Sequence, residues 1–305
     1  VLTPFGTIAA NVRVATADVD GDSIQDTILV TGPGVPIRVA VLSGVDSSTL
    51  VAPFDPFGGN FTGGGFVAAA DLDSDDLAEF VVTPDEGGGP RVSVFSRLAG
   101  GTVQLKANFL GIDDDAFRGG ARAALGDVDN DGTPDLLVAA GFGGGPRVAL
   151  FDGAALFGTR DKLVPDFFAF PDDATTLRNG IFAALGDIDG DGAADLIFGG
   201  GPGGAPRVYI LSGDFLMSGN PNLFSQPIAN FFVAGNANDR GGVRLAVTDT
   251  DDDSRTDLIA GSGEGSPARI RIYRGANFNG TGEPSQFQDI NVFDGVTLAG
   301  GVFVG

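Results

Sequence analysis

The chain has 305 residues, 43 % of them hydrophobic, with 40 acids against 18 bases and a formal charge of −22. That charge disfavours nucleic acid and anionic membrane surfaces as partners, since both call for a basic footprint, and it makes cations the natural ones. The absence of His and Cys removes the commonest general base, disulfides and thiolate metal sites.

In chain order, "LTPF" (2–5) is similar to "VAPF" (51–54), so residues 1–10 are expected to form a part-blade end. The unit 11–59 then strings together a small-residue strand "VRVATAD", an acid loop "ADVDGDSIQD" (17–26), an apolar strand "TILVTG", a third strand "IRVAVL" and a closing "VAPFDPF". Unit 60–115 repeats the order with "FVAAAD", "ADLDSDDLAE" (70–79), "FVVTP", "RVSVF" and "KANFLGI". Unit 116–175 has "ARAALGD", "GDVDNDGTPD" (126–135), "LLVAAG", "RVALF" and "DFFAF". Unit 176–236 has "FAALGD", "GDIDGDGAAD" (186–195), "LIFGG", "RVYIL" and "ANFFVAG". Unit 237–294 has "VRLAVTD", "TDTDDDSRTD" (248–257), "LIAGS", "RIRIY" and "INVFDG". The end, 295–305, closes on "GGVFVG", similar to the first strand of a unit, "GGVRLAVTD" (241–249).

Alternation and β-branched content favour strands throughout, and no run approaches the ~18 apolar residues of a membrane span. The first acids of the loops lie 53, 56, 60 and 62 residues apart, which suits one four-stranded blade per unit. About twenty strands hide their edges by closing radially, and small residues fit the crowded innermost strands. The expectation is one all-β domain over 1–305, a β-propeller with five legible blades. Its ends leave three options: a ring closed at five, a section of a longer propeller, or terminal strands that add to neighbouring copies.

The loop spacing is D-x-D-x-D-x-x-x-D, with Glu in the last place once. Acids at positions 1, 3 and 5, a carbonyl at 7 and an acid at 9 can converge as an oxygen cage of the kind calcium takes. One such loop would pass for a polar hairpin turn; five with the same spacing would not. An EF-hand needs Glu at position 12 and flanking helices, whereas position 12 here is Leu29, Val82, Val138, Phe198 and Ala260, with strands on both sides.

These loops, with "DEGGGPRV" (85–92), "GFGGGPRV" (141–148) and "GPGGAPRV" (201–208), resemble the FG-GAP or VCBS-type repeats that form integrin α-subunit blades and occur in many bacterial surface proteins. Carried over residue by residue, the resemblance implies calcium ligands at Asp18, Asp20, Asp22 and Asp26, and at Asp71, Asp73, Asp75 and Glu79. It continues with Asp127, Asp129, Asp131 and Asp135, then Asp187, Asp189, Asp191 and Asp195, and last Asp249, Asp251, Asp253 and Asp257, for up to five Ca²⁺. Position 6 is Gly in the third and fourth loops only (Gly132, Gly192), against Ser23, Asp76 and Ser254 elsewhere, and integrin propellers have seven blades.

The recurrent Arg38, Arg91, Arg147, Arg207 and Arg269 are expected to bond loop carbonyls or a neighbouring Asp and staple blade to blade, and the 25 Phe to fill inter-blade cores. The function expected is a non-catalytic extracellular surface or matrix module that contacts proteins, glycans or its own copies. The rival is a secreted polysaccharide-binding or polysaccharide-degrading protein, with "GIDDDAF" (111–117) and "PDDATT" (171–176) as carboxylate sources.

Overall fold

Five runs of buried-strand sequence, each flanked by turn residues, give five sheets of a β-propeller, antiparallel apart from one short pair, in the computed structural model, which describes residues 3–173, 176–293, 296–298 and 300–305. Blade 1 holds β1 (Val12–Ala17), β2 (Asp26–Thr31), β3 (Val39–Leu42) and β4 (Thr49–Phe54). Blade 2 holds β5 (Gly65–Ala70), β6 (Glu79–Pro84), β7 (Arg91–Arg97) and β8 (Val103–Leu110). Blade 3 holds β9 (Ala121–Gly126), β10 (Asp135–Ala140), β11 (Arg147–Phe151) and β12 (Lys162–Phe168). Blade 4 holds β13 (Ile181–Gly186), β14 (Asp195–Gly200), β15 (Arg207–Leu211) and β16 (Ala229–Phe232). Blade 5 holds β17 (Val243–Thr248), β18 (Asp257–Ser262), β19 (Arg269–Tyr273) and β21 (Gln288–Asn291), while β20 (Gly280–Thr281) leaves it to pair in parallel with β16 of blade 4. Among the described residues a single five-residue α-helix, α1 (Gly213–Met217), follows β15, its first turn capped by the Ser212 hydroxyl, which accepts the Phe215 N–H at 3.2 Å.

The side-chain period of two explains why the second strand of each blade reads as an unbroken apolar run. In β10, Leu136, Val138 and Ala140 pack toward blade 2, whereas Leu137 and Ala139 pack toward blade 4. β14 does the same, with Leu196 and Phe198 facing blade 3 and Ile197 facing blade 5. Four apolar clusters therefore join blades 1–2, 2–3, 3–4 and 4–5. Phe supplies their bulk, as in the Phe54–Phe80–Phe95 and Phe231–Tyr273–Phe278 groups.

The junction of blade 5 with blade 1 is built differently. Segment 300–305 enters it: the Val302 N–H donates to the Ser262 carbonyl at 2.9 Å, and Gly305 lies against the Val14 carbonyl. Leu29 of β2 and Ile259 of β18, on the faces turned to this junction, are only half-buried, although every residue of β6, β10 and β14 is buried. Residues 3–11, on the other flank, run in turns and bends without an assigned strand.

The third-strand arginines act within blades more than between them. Arg147 pairs with Asp166 at 2.6 Å, Arg269 with Asp289 at 2.8 Å and Arg38 with Asp55 at 3.5 Å, each in or just after the fourth strand of the same blade. Arg91 donates to Asn108 there. Arg207 donates to Asn230 and also crosses to Asp173 of the preceding unit at 3.2 Å.

Because Leu137 is fully buried between blades 3 and 4, Leu137→Ala should destabilise the fold by about 2–5 kcal/mol in denaturant titrations. A change under half a kcal/mol would mean that the cluster does not hold those blades.

Candidate metal centres

The ninth loop position opens the second strand of every blade, so backbone geometry places Asp26, Glu79, Asp135, Asp195 and Asp257 under the loop, and all five are buried. A buried carboxylate needs donors. Each accepts the N–H of loop position 2 (Val19, Leu72, Val128, Ile188 or Thr250) at 2.8–3.1 Å. In four blades its other oxygen accepts the N–H of a glycine just past the third strand: Gly44, Gly153, Gly213 and Gly275, at 2.9–3.1 Å. A Cβ at any of these glycines would come within 2.2–2.6 Å of a backbone carbonyl oxygen, so the approach requires glycine. Blade 2 differs in two linked ways. Its third strand continues through Arg97 without that glycine, and the longer Glu79 reaches Lys106 Nζ at 3.4 Å instead.

The first acid organises the loop from its other end. Asp18, Asp71, Asp127, Asp187 and Asp249 each accept two or three backbone N–H groups from positions 3 to 6. The acid at position 5 (Asp22, Asp75, Asp131, Asp191 or Asp253) accepts the N–H of position 7. Position 6 is left-handed in all five loops, with φ of 65° at Ser23, 67° at Asp76, 94° at Gly132, 97° at Gly192 and 69° at Ser254. Lack of glycine at three of these positions therefore leaves the loop shape unchanged, at the cost of some backbone strain there.

Carboxylate oxygens of positions 1, 3 and 9 lie within 4.8 Å of one another in loops 2 to 5: Asp71, Asp73 and Glu79; Asp127, Asp129 and Asp135; Asp187, Asp189 and Asp195; Asp249, Asp251 and Asp257. In loop 1 the converging set is Asp18, Asp20 and Asp22. Asp26 and the position-5 acids of loops 2 to 5 fall outside these groups, held by the backbone bonds above. The acid at position 3 is the telling one: Asp20 Oδ1, Asp189 Oδ1 and Asp251 Oδ1 are buried without a hydrogen-bond partner among the described residues. Orphaned oxygens in an all-oxygen donor set fit a hard cation.

Without a cation the convergence has a measurable effect. Burial, followed by the nearby Asp189 charge, pushes the Asp195 carboxyl up to about 8, and burial pushes Asp135 up to about 6. Glu79 is also raised by burial, as are Asp20, Asp129 and Asp189, where neighbouring acids add to it. Against a desolvation cost, the backbone N–H groups hold Asp18 and Asp249 below the usual carboxylate range. Two loops carry a cation of their own: Lys106 bonds Asp73 in loop 2 and Arg274 bonds Asp251 in loop 5. Sequence spacing alone did not reveal either one, because both come from outer parts of their blades.

The loops are also tied to one another. The N–H groups of Ala78, Ala194 and Thr256, at position 8, donate to the carbonyls of Asp18, Asp127 and Asp187 in the preceding blade, each at 2.7 Å. Loop 3 has Pro134 there and no N–H to give.

Residues 127–198 match the FG-GAP-like repeat. Integrin alpha-V of Gallus gallus is 29 % identical over 214 residues, which is 61 % of this chain and only 19 % of the integrin's length. Among solved structures, an Agrocybe aegerita lectin that recognises non-reducing terminal N-acetylglucosamine is similar in fold, with a TM-score of 0.52 and 18 % identity over 95 % of this chain and 68 % of that one. Rhamnogalacturonan lyase YesX is a more distant match, with a TM-score of 0.45 and 13 % identity over 89 % of this chain and 49 % of that one.

Asp195 sets the sign of a pH test. Its folded carboxyl titrates near 8 rather than 3.8, so the cation-free fold keeps a proton that the unfolded chain has released. Stability in chelator should then fall as pH rises from about 4 to 8. Thermal unfolding in chelator should show a lower midpoint at pH 8 than at pH 5, and Asp195→Asn should flatten that slope. A midpoint that rises with pH would contradict the assignment.

Proposed function

Because the chain is built of FG-GAP-type propeller repeats, we propose that it is a non-catalytic, calcium-stabilised β-propeller that works outside the cell as a structural and interaction module of a surface or matrix. The observation that carries this reading is the set of five carboxylate groups, several of them chained blade to blade, around one end of the molecule. A cation at each would neutralise the convergent acids and fix the turn between innermost and second strands. Extracellular calcium suits such sites, since modules there work with dissociation constants of about 10⁻⁴–10⁻³ M. No helix among the described residues is long and apolar enough to cross a membrane.

Support for a non-catalytic role comes from the acids outside the loops. Asp114 in "GIDDDAF" accepts the N–H groups of Ala116 and Phe117 as a turn cap, and Asp173 in "PDDATT" pairs with Arg207. Those two side chains serve the backbone and an ion pair, whereas glycosidic chemistry needs two carboxylates placed across a cleft; residues 174–175 of the second stretch lie outside the described residues. The partners proposed are proteins, glycans or further copies of the chain, with the half-buried Leu29 and Ile259 beside the blade 5–blade 1 junction as the surface for self-association.

A cation at about ten times its dissociation constant contributes about 1.4 kcal/mol per site. Several sites together should raise the melting midpoint in millimolar calcium by roughly 10 °C or more over that in chelator. Equal midpoints would remove the calcium role. Size-exclusion chromatography in the same two buffers tests assembly: calcium-dependent oligomers are expected, and a monomer in both would remove self-association from the reading.

A further inference from the structure

The end of the axis opposite the acid loops carries a second constellation, formed by the second residue of each innermost strand. Arg13, Phe66, Arg122, Phe182 and Arg244 alternate around the axis, and Phe303 from segment 300–305 takes a sixth place. Each guanidinium stacks between two rings: Arg13 lies 3.8 Å from Phe66 and 4.7 Å from Phe303, Arg122 4.0 Å from Phe182 and 5.3 Å from Phe66, Arg244 4.9 Å from Phe182 and 5.0 Å from Phe303. This closed collar floors a cavity of about 690 Å³ at the mouth of the axis, within the size range of ligand pockets.

Charge is not balanced there. Arg13 pairs with Asp85 at 2.6 Å and Arg244 with Glu264 at 3.2 Å. Arg122 has no carboxylate partner among the described residues. It is 4 % exposed, donates Nη1 to the Ile181 carbonyl at 2.8 Å and keeps Nε buried without a partner. Glu86 and Arg118 also line the cavity, so it holds four guanidiniums against three carboxylates in a chain whose net charge is −22. Burial lowers Arg122 to about 10, which leaves it charged at neutral pH. A buried, charged and unpaired guanidinium facing an open cavity calls for a counter-ion.

We propose that this axial vestibule binds one oxyanion group, the carboxylate or sulfate of a small acidic molecule such as a sugar acid, with Arg122 as its anchor. The site is independent of the acid loops: Arg13 and Asp18 stand at opposite ends of β1, roughly 17 Å apart along the strand. Pro202 lines the same cavity at the position that Glu264 holds in blade 5, two residues past the second strand. An acid there would supply the missing counter-charge from within.

The test is isothermal titration of the calcium-loaded full chain at low salt with D-galacturonate, neutral D-galactose and sodium sulfate. One molecule of galacturonate per chain is expected to bind, with no binding of galactose. Sulfate that displaces galacturonate supports a site for the oxyanion itself, and galacturonate that resists displacement supports a sugar-acid ligand. Arg122→Met, and Pro202→Glu as the variant that keeps the collar intact, should each weaken binding about tenfold or more. No binding of either anion, equal binding of galactose, or unchanged affinity in whichever variants fold would overturn the proposal.

Discussion

A carboxylate buried between two β-strands has to be protonated, hydrogen-bonded or bound to a cation, and the rest of this propeller is arranged around five of them. Each sits at the start of a second strand, where it ties three backbone segments together: the loop above it, its own strand and, in four blades, the exit of the third strand. Backbone N–H groups satisfy part of the demand. The raised carboxyl of Asp195 and the partnerless oxygens of Asp20, Asp189 and Asp251 show that they do not satisfy all of it. A divalent cation would satisfy the remainder and would at once reduce the repulsion of a strongly acidic chain.

That constraint also separates the molecule into two ends with different work. At the acid-loop end, interloop bonds such as Thr256 to Asp187 make each blade's turn depend on its neighbour. At the other end the Arg–Phe collar holds the innermost strands by stacking and by bonds from Arg13, Arg122 and Arg244 to the carbonyls of Gly65, Ile181 and Gly300. Between the ends lie the four apolar clusters. The blade 5–blade 1 junction has segment 300–305 where a further innermost strand would run, so the axis has six places for five complete blades.

Much of this was legible in the sequence because its causes are local. The loop spacing, the small-residue strands before it and the apolar strands after it place all five blades and bring the acids at positions 1 and 3 together in every loop. What was not legible depends on contacts between distant residues. Nothing in the loop spacing indicates that Lys106 and Arg274 lie against loops 2 and 5, or that Asp26 stays outside the converging set of loop 1. Nor does the loop spacing single out Gly44, Gly153, Gly213 and Gly275, whose role as close-approach donors to the acid at position 9 depends on where the third strand ends in space. The collar was in plain view as Arg and Phe alternating unit by unit at one strand position. Its meaning required knowing that those positions meet on one axis.

Native mass spectrometry of the chain equilibrated with millimolar calcium distinguishes cation sites from merely polar turns at the converging acids. Discrete calcium adducts are expected, up to five per chain, that chelator removes and that Asp189→Asn reduces by one. A chain that carries no specifically bound calcium under those conditions would contradict the cation sites.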